Sequence, residues 1–157
     1  MSHTKIQRLF TVISGLWVGG FITIGFLVVP ILFATIGDRQ IAGVIAAHLF
    51  KISSYIGVGV CSLLMLIANR LVKLGNRSYR LIRWTLLLML ICTVVAAFII
   101  IPWMNALRDQ ALQLGISVRD TSSASLFGLL HRVSSVIFII QSILGIALVW
   151  WSTKNVD

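Results

Sequence analysis

The chain of 157 residues is 59% hydrophobic, has a mean hydropathy of +1.03 and contains no Glu. Those values exclude a soluble globular domain and point to lipid as the solvent. The formal net charge of +9 looks at first like that of a nucleic-acid-binding domain. The cations flank the apolar runs instead of forming a basic face, so nucleic acid is not an expected partner.

Four apolar runs, roughly 9–33, 50–70, 82–104 and 126–151, carry no carboxylate. Each meets or approaches the length of about 20 residues that a helix needs to cross a bilayer. Backbone polar groups in lipid must be satisfied within the helix. The expected fold is therefore all-α, a polytopic membrane four-helix bundle forming a single domain over 1–157. Lys5 and Arg8 precede the first run as they would precede a signal peptide. The run is too long for one and ends in no small-x-small site, so it is read as span 1. Gly15 and Gly19 place a GxxxG face on that span, with Gly20 beside it, which suits close helix packing. Asp38 is the expected N-cap of a helix that begins outside the membrane and leads into span 2. Thr121, Ser122 and Ser123 offer the corresponding cap before span 4. Cys61 and Cys92 lie mid-span and do not form a secreted disulfide framework.

Charge sets the expected topology. Lys5, Arg8, Arg70, Lys73, Arg77, Arg80, Arg83 and Lys154 flank one side. Arg39, Lys51, Arg108, Arg119 and Arg132 flank the other, together with Asp38, Asp109 and Asp120. This eight-to-five bias puts both termini and the 70–83 loop in the cytoplasm of a bacterial inner membrane. The 70–83 loop is the densest basic segment, and anionic lipid is its expected partner.

The sequence also holds a modest repeat. Pro30, Ile31, Leu32 and Phe33 close span 1, and Pro102, Trp103, Met104 and Asn105 close span 3. His48, followed by Ser53 and Ser54, opens span 2. His131, followed by Ser134 and Ser135, opens span 4. The order and the membrane side match, which predicts two repeat-related helical hairpins of the same orientation. Counting about 20 residues from Arg8, Arg70, Arg83 and Trp151 reaches Val28, Phe50, Trp103 and His131. Pro30, His48, Pro102, Trp103 and His131 are thus expected near one plane, at the outer interface. With Asn105, Ser134 and Ser135 they form the expected polar site, His131 and His48 being its ligand or metal candidates. Neutral imidazole suits zinc, copper and haem iron. It equally suits a polar residue at the interface.

A second candidate is a sulfur cluster. Cys61 with Met65, and Met89 with Cys92, share helix faces by spacing, and soft sulfur ligands select Cu(I). The alternative is that they are ordinary apolar filler. Trp17 lies inside span 1, where an indole N–H usually seeks a partner, as a packing or a site-lining residue. Haem and copper are thus the cofactors left open. No Walker loop, nucleophile elbow, HExxH or CxxC motif is present, so hydrolysis and phosphoryl transfer have no visible machinery and no catalytic residue is assigned. Three classes stay open: a metal- or haem-binding or metal-tolerance protein, an accessory subunit of a homo-oligomer or larger membrane complex, and an oxidase.

Several of these residues resemble one family. Gly15, Leu16 and Trp17, then Leu49 and Phe50, Pro102, and Phe127, Gly128, Leu129, Leu130 and His131 with Ser134 are similar to the bacterial branch of the transmembrane protein 205 group. The resemblance implies a four-helix membrane domain without an agreed activity, linked in animal members to tolerance of platinum drugs. It carries over His131 and Ser134, and not His48. The architecture is more distantly similar to copper resistance protein D and to the haem-binding protoporphyrinogen oxidase of bacteria. That oxidase has a histidine in its first helix and a Pro-Arg-Leu-Phe run. Here span 1 holds no histidine, and Pro30 is followed by Ile31. The departure weighs against the oxidase reading.

Overall fold

The computed structural model describes residues 3–154. α1 (His3–Thr23) passes through a π-helical turn (Ile24–Val28) into α2 (Val29–Thr35). α3 (Arg39–Lys73) returns. α4 (Tyr79–Val95) passes through a second π-helical turn (Ala96–Ile100) into α5 (Ile101–Gln113), and α6 (Ala124–Thr153) returns again. Four continuous helical stretches, Thr4–Thr35, Arg39–Lys73, Tyr79–Gln113 and Ala124–Thr153, are long and apolar enough to cross a membrane. They pack as an antiparallel ring, each helix against its chain neighbours and α6 against α1. Side chains such as Leu16, Leu66 and Ile143 stay largely exposed on the outside, as a lipid-facing surface requires.

The ends of the helices follow local rules. Asp38 caps α3, its carboxylate accepting from the amides of Gln40 (2.7 Å) and Ile41 (3.3 Å). Helix 39–73 therefore starts well before the apolar run, as the cap implied. The cap expected for α6 does not form. Ser123 occupies the N-cap position without a side-chain bond, and the Thr121 hydroxyl instead donates back to the Val118 carbonyl at 2.7 Å. A short 3₁₀ turn at Val118–Asp120 provides that closer acceptor. α3 and α5 end alike. Gly75 (φ 95°) and Gly115 (φ 66°) take the left-handed position, and the next amides reach back to Leu71 and Ala111.

The prolines do not close the helices. Each stands second in the α-helical segment that follows a π-turn, and the helix continues to Thr35 or Gln113. A proline inside an α-helix lacks an amide donor and clashes with the carbonyl four residues back. One π-helical turn supplies the extra residue that relieves the clash. Each helical stretch thus passes through its proline without ending.

The repeat is more regular in three dimensions than in composition. Ile24–Val28 corresponds to Ala96–Ile100, and Pro30 to Pro102. Buried Phe10 and Ser14 correspond to buried Ile82 and Leu86. On the return helices, Ala46, Gly57, Cys61, Leu64 and Ala68 correspond to Leu130, Gln141, Gly145, Leu148 and Ser152, all buried. This register pairs Ala47, not His48, with His131, and Phe50 with Ser134. The serine pairs do not coincide.

Packing is uneven along the ring. Ile6, Phe10, Cys61, Leu64, Leu71, Tyr79, Ile82, Leu86, Met89 and Leu148 form one core at the end carrying the chain termini. At the opposite, distal end the buried apolar contacts lie between α4–α5 and α6, at Ile100, Met104 and Leu130. The turn at Ile24–Val28 and α2 have no buried residue. The distal half of the ring is therefore less tightly filled, and it holds a cavity.

Candidate functional site

The cavity measures about 340 Å³ and is bounded by all four helical stretches. Its two walls differ in chemistry. The first hairpin contributes Phe21, Phe26, Val29, Phe33, Ala47 and Phe50. Ser54 is the polar member of that wall. The second contributes Asn105, Arg108, His131, Ser134, Ser135 and Gln141, beside apolar Ile100, Ile101, Met104, Ile137 and Phe138. Several positions related by the repeat thus carry opposite character. Ala47 faces the wall where its counterpart is His131, and Phe33 the wall where its counterpart is Asn105. Phe138 of α6 lies among the aromatic side chains, its ring centroid 4.8 Å from Phe21, 5.2 Å from Phe26 and 5.9 Å from Phe50.

The polar strip descends along α6. Ten residues separate His131 from Gln141, which at about 1.5 Å of rise each spans about 15 Å. At the distal mouth, half-buried Arg108 donates from Nη1 to Asn105 Oδ1 at 3.1 Å and lies 5.1 Å from the Phe127 ring centroid. Below it, the Ser134 and Ser135 hydroxyls both donate to the His131 carbonyl, at 2.8 and 2.9 Å. Their lone pairs stay available as acceptors. At the floor, Gln141 is buried. Its Nε2 donates to the Met89 carbonyl (3.1 Å) and to Thr93 Oγ1 (2.6 Å) on α4. The Met89 carbonyl accepts only, so the amide nitrogen must face it. The hydrogen bonds of this side chain run through Nε2, so Oε1 is left on a side chain that lines the cavity. Donors stand at the mouth and acceptors at the floor.

The structure brings together His131, Asn105, Ser134 and Ser135 of the expected site. It does not bring His48, Pro30, Pro102 or Trp103 to the same wall. His48 does not line the cavity, and its Nδ1 lies 3.0 Å from the Val44 carbonyl of its own helix, whereas His131 lines the rim although it too is exposed. Trp103 is 59% exposed and points outward. One residue of helix turns a side chain by roughly 100°, so the register that aims His131 inward aims His48 away. The two imidazoles are not arranged as facing ligands. Trp17 stacks on Phe21 at 5.7 Å and packs against the core of the terminal half. Of the sulfur residues, Cys61, Met65 and Met89 share that apolar core, and Cys92 is not part of it. Among the described residues no group of three or more His, Cys, Asp or Glu side chains is placed to hold a metal ion.

Most of the lining, including Phe21, Phe26, Phe138, Gln141, Arg108 and Gly25, escaped the sequence reading. Gln141 is the amide inside an otherwise apolar run, and an unexplained polar side chain at mid-span is itself a signal. Arg108 was counted only as a flanking charge. Gly25 gives no hint in sequence. A methyl on it would run into the Phe138 ring.

Four membrane-length helices around an intramembrane cavity define a multi-pass helical membrane protein. The chain belongs to the family described as a domain of unknown function (DUF4149), whose model matches residues 12–113. The matched segment covers α1 to α5 for the most part and stops before α6, so His131, Ser134 and Gln141 lie outside it. No curated protein and no solved structure matches the chain significantly.

Proposed function

We propose that this protein binds a small amphipathic molecule within the membrane, in the cavity between its two hairpins. The observation that carries the reading is the division of that cavity into an aromatic wall and a polar strip. Ligand sites are typically apolar clefts with a few placed polar groups, and membrane sites recur at the interface between repeats. His131, Asn105, Arg108, Ser134, Ser135 and Gln141 hold the polar part of the ligand, and the phenylalanines hold the rest. The eight-to-five charge bias supports cytoplasmic termini in a bacterial inner membrane. The site then opens in the periplasmic half, and the 70–83 loop rests on anionic lipid. The resemblance of Gly15, Leu16, Trp17, Pro102 and His131 is what supports placement in the transmembrane protein 205-like branch. Metal or haem ligation, or a role in metal tolerance, has His131 in the cavity to support it but lacks a second ligand there. The oxidase reading draws no support from the cavity.

The test is native mass spectrometry of the protein purified in mild detergent, with a Ser134→Trp variant that fills the cavity. A co-purifying molecule that the variant loses at equal yield supports the reading. A Soret band or stoichiometric copper on the same sample would replace it with the metal reading. A second role is favoured by one feature. Gly15, Gly19 and Gly20 on α1 have nothing within 4 Å of where a side chain would start, which leaves a face free to pack on another membrane helix. Co-migration with a large complex, lost in Gly15→Leu, would establish an accessory-subunit role.

A further inference from the structure

Arg108 differs from the other cations at its end of the molecule. Arg39, Lys51, Arg119 and Arg132 are exposed, whereas Arg108 is half-buried and lines the cavity. Among the described residues no carboxylate lies within ion-pairing distance of it. Its partners are an amide oxygen, Asn105 Oδ1, and an aromatic ring, Phe127. Asp109, next in sequence, is exposed and attracts Arg108 without forming an ion pair. A cation partly withdrawn from water favours a hydrogen-bonded anion beside it, and the open space beside this one is the mouth of the cavity.

We propose that Arg108 anchors the anionic head group, carboxylate or phosphate, of a single-chain amphiphile whose tail runs down the aromatic wall. This deepens the ligand-binding reading above and rests on it. The guanidinium presents several N–H donors in a planar fork, which matches the oxygens of either head group. The Asn105 amide nitrogen, left free by the bond through Oδ1, adds a donor beside it. The orientation follows from the strip below. The Ser134 and Ser135 lone pairs and Gln141 Oε1 are acceptors, so an anion placed at the floor meets repulsion and one placed at the mouth meets donors. The distance from His131 to Gln141, about 15 Å along the helix, accommodates a stretch of alkyl chain beside Phe138, Phe21 and Phe50.

The experiment uses the full chain in phosphatidylcholine nanodiscs and measures equilibrium binding of radiolabelled oleate, of lysophosphatidate and of neutral oleyl alcohol. One of the two anions should bind about tenfold or more tightly than the alcohol, because a hydrogen bond to a charged group exceeds a neutral one by about that factor. The tighter of the two identifies the head group. Arg108→Gln should remove most of that preference, Arg108→Lys should keep part of it, and Arg132→Gln, an exposed neighbour, should stay within about twofold of wild type. Oleyl alcohol binding as tightly as both anions overturns the anchor while leaving the cavity reading intact. So does an equal loss in Arg132→Gln and Arg108→Gln, since the effect is then one of general surface charge. The alcohol comparison needs no variant, so it decides even where Arg108→Gln folds poorly. Binding of all three probes unchanged by Ser134→Trp overturns the cavity reading itself.

Discussion

Gly25→Ala adds one methyl at a close approach between the two hairpins. That methyl would meet Cζ, Cε2 and Cε1 of Phe138, the last at 2.8 Å, whereas ordinary contact begins at 3.4 Å. Phe21, Phe26 and Phe50 hold the ring on three sides, with centroids 4.8 to 5.9 Å away, so its room to retreat is on the side of the cavity. Overpacking of this kind costs about 1–3 kcal/mol. Helix propensity opposes it, since alanine is favoured over glycine by about 1 kcal/mol in a helix interior. The net expectation is a loss of up to about 2 kcal/mol. Gly20→Ala is the control, for it has nothing within 4 Å and should be neutral or mildly stabilising. Reversible unfolding in mixed micelles measures both. Phe138→Leu combined with Gly25→Ala should recover much of the loss, which a double-mutant cycle reads as coupling. The displaced ring moves toward the cavity, so ligand binding should fall in Gly25→Ala as well. A Gly25→Ala protein as stable as Gly20→Ala would refute the packing described for the hairpin interface.

Other expectations are more local. Gln141→Leu removes two interhelical hydrogen bonds to α4. At about 0.6 kcal/mol each on average in membranes, it should cost about 1 kcal/mol in the same unfolding assay. Unchanged stability would show that the amide does not tie α6 to α4. Tyr79→Phe should stabilise by about 1 kcal/mol, because the Tyr79 hydroxyl is buried without a hydrogen-bond partner among the described residues; a clear loss of stability would mean that it has one. His131→Ala should weaken ligand binding severalfold at unchanged abundance, and His48→Ala should not; equal effects would contradict the register of the two return helices. Reporter fusions at Gly75 and Gly115 should read cytoplasmic and periplasmic respectively, and a cytoplasmic signal at Gly115 would invert the topology.

What the sequence determined by itself is what depends on local chemistry. Apolar runs of bilayer length without carboxylates dictate four helices, because lipid leaves the backbone no other way to satisfy its amides. Asp38 dictated the start of α3 for the same kind of reason, since a carboxylate there reaches the free amides of the first turn. Two hairpins of like orientation were visible in the paired prolines, whereas the histidines and serines that suggested the same repeat fall out of its register. Tertiary structure decided what depends on angle and neighbours. The π-turns ahead of Pro30 and Pro102 carry both helices onward where sequence rules favour a stop, because one extra residue per turn removes the proline clash. A shift of one residue in register turns His131 into the cavity and His48 out of it, a rotation that counting depth along the helix does not register. Arg108 and Gln141 became site residues only once the helices were packed, for a flanking charge and a lone mid-span amide take their meaning from the wall they face. The cavity itself has no sequence signature, because it is the space that two unequal hairpins leave between them.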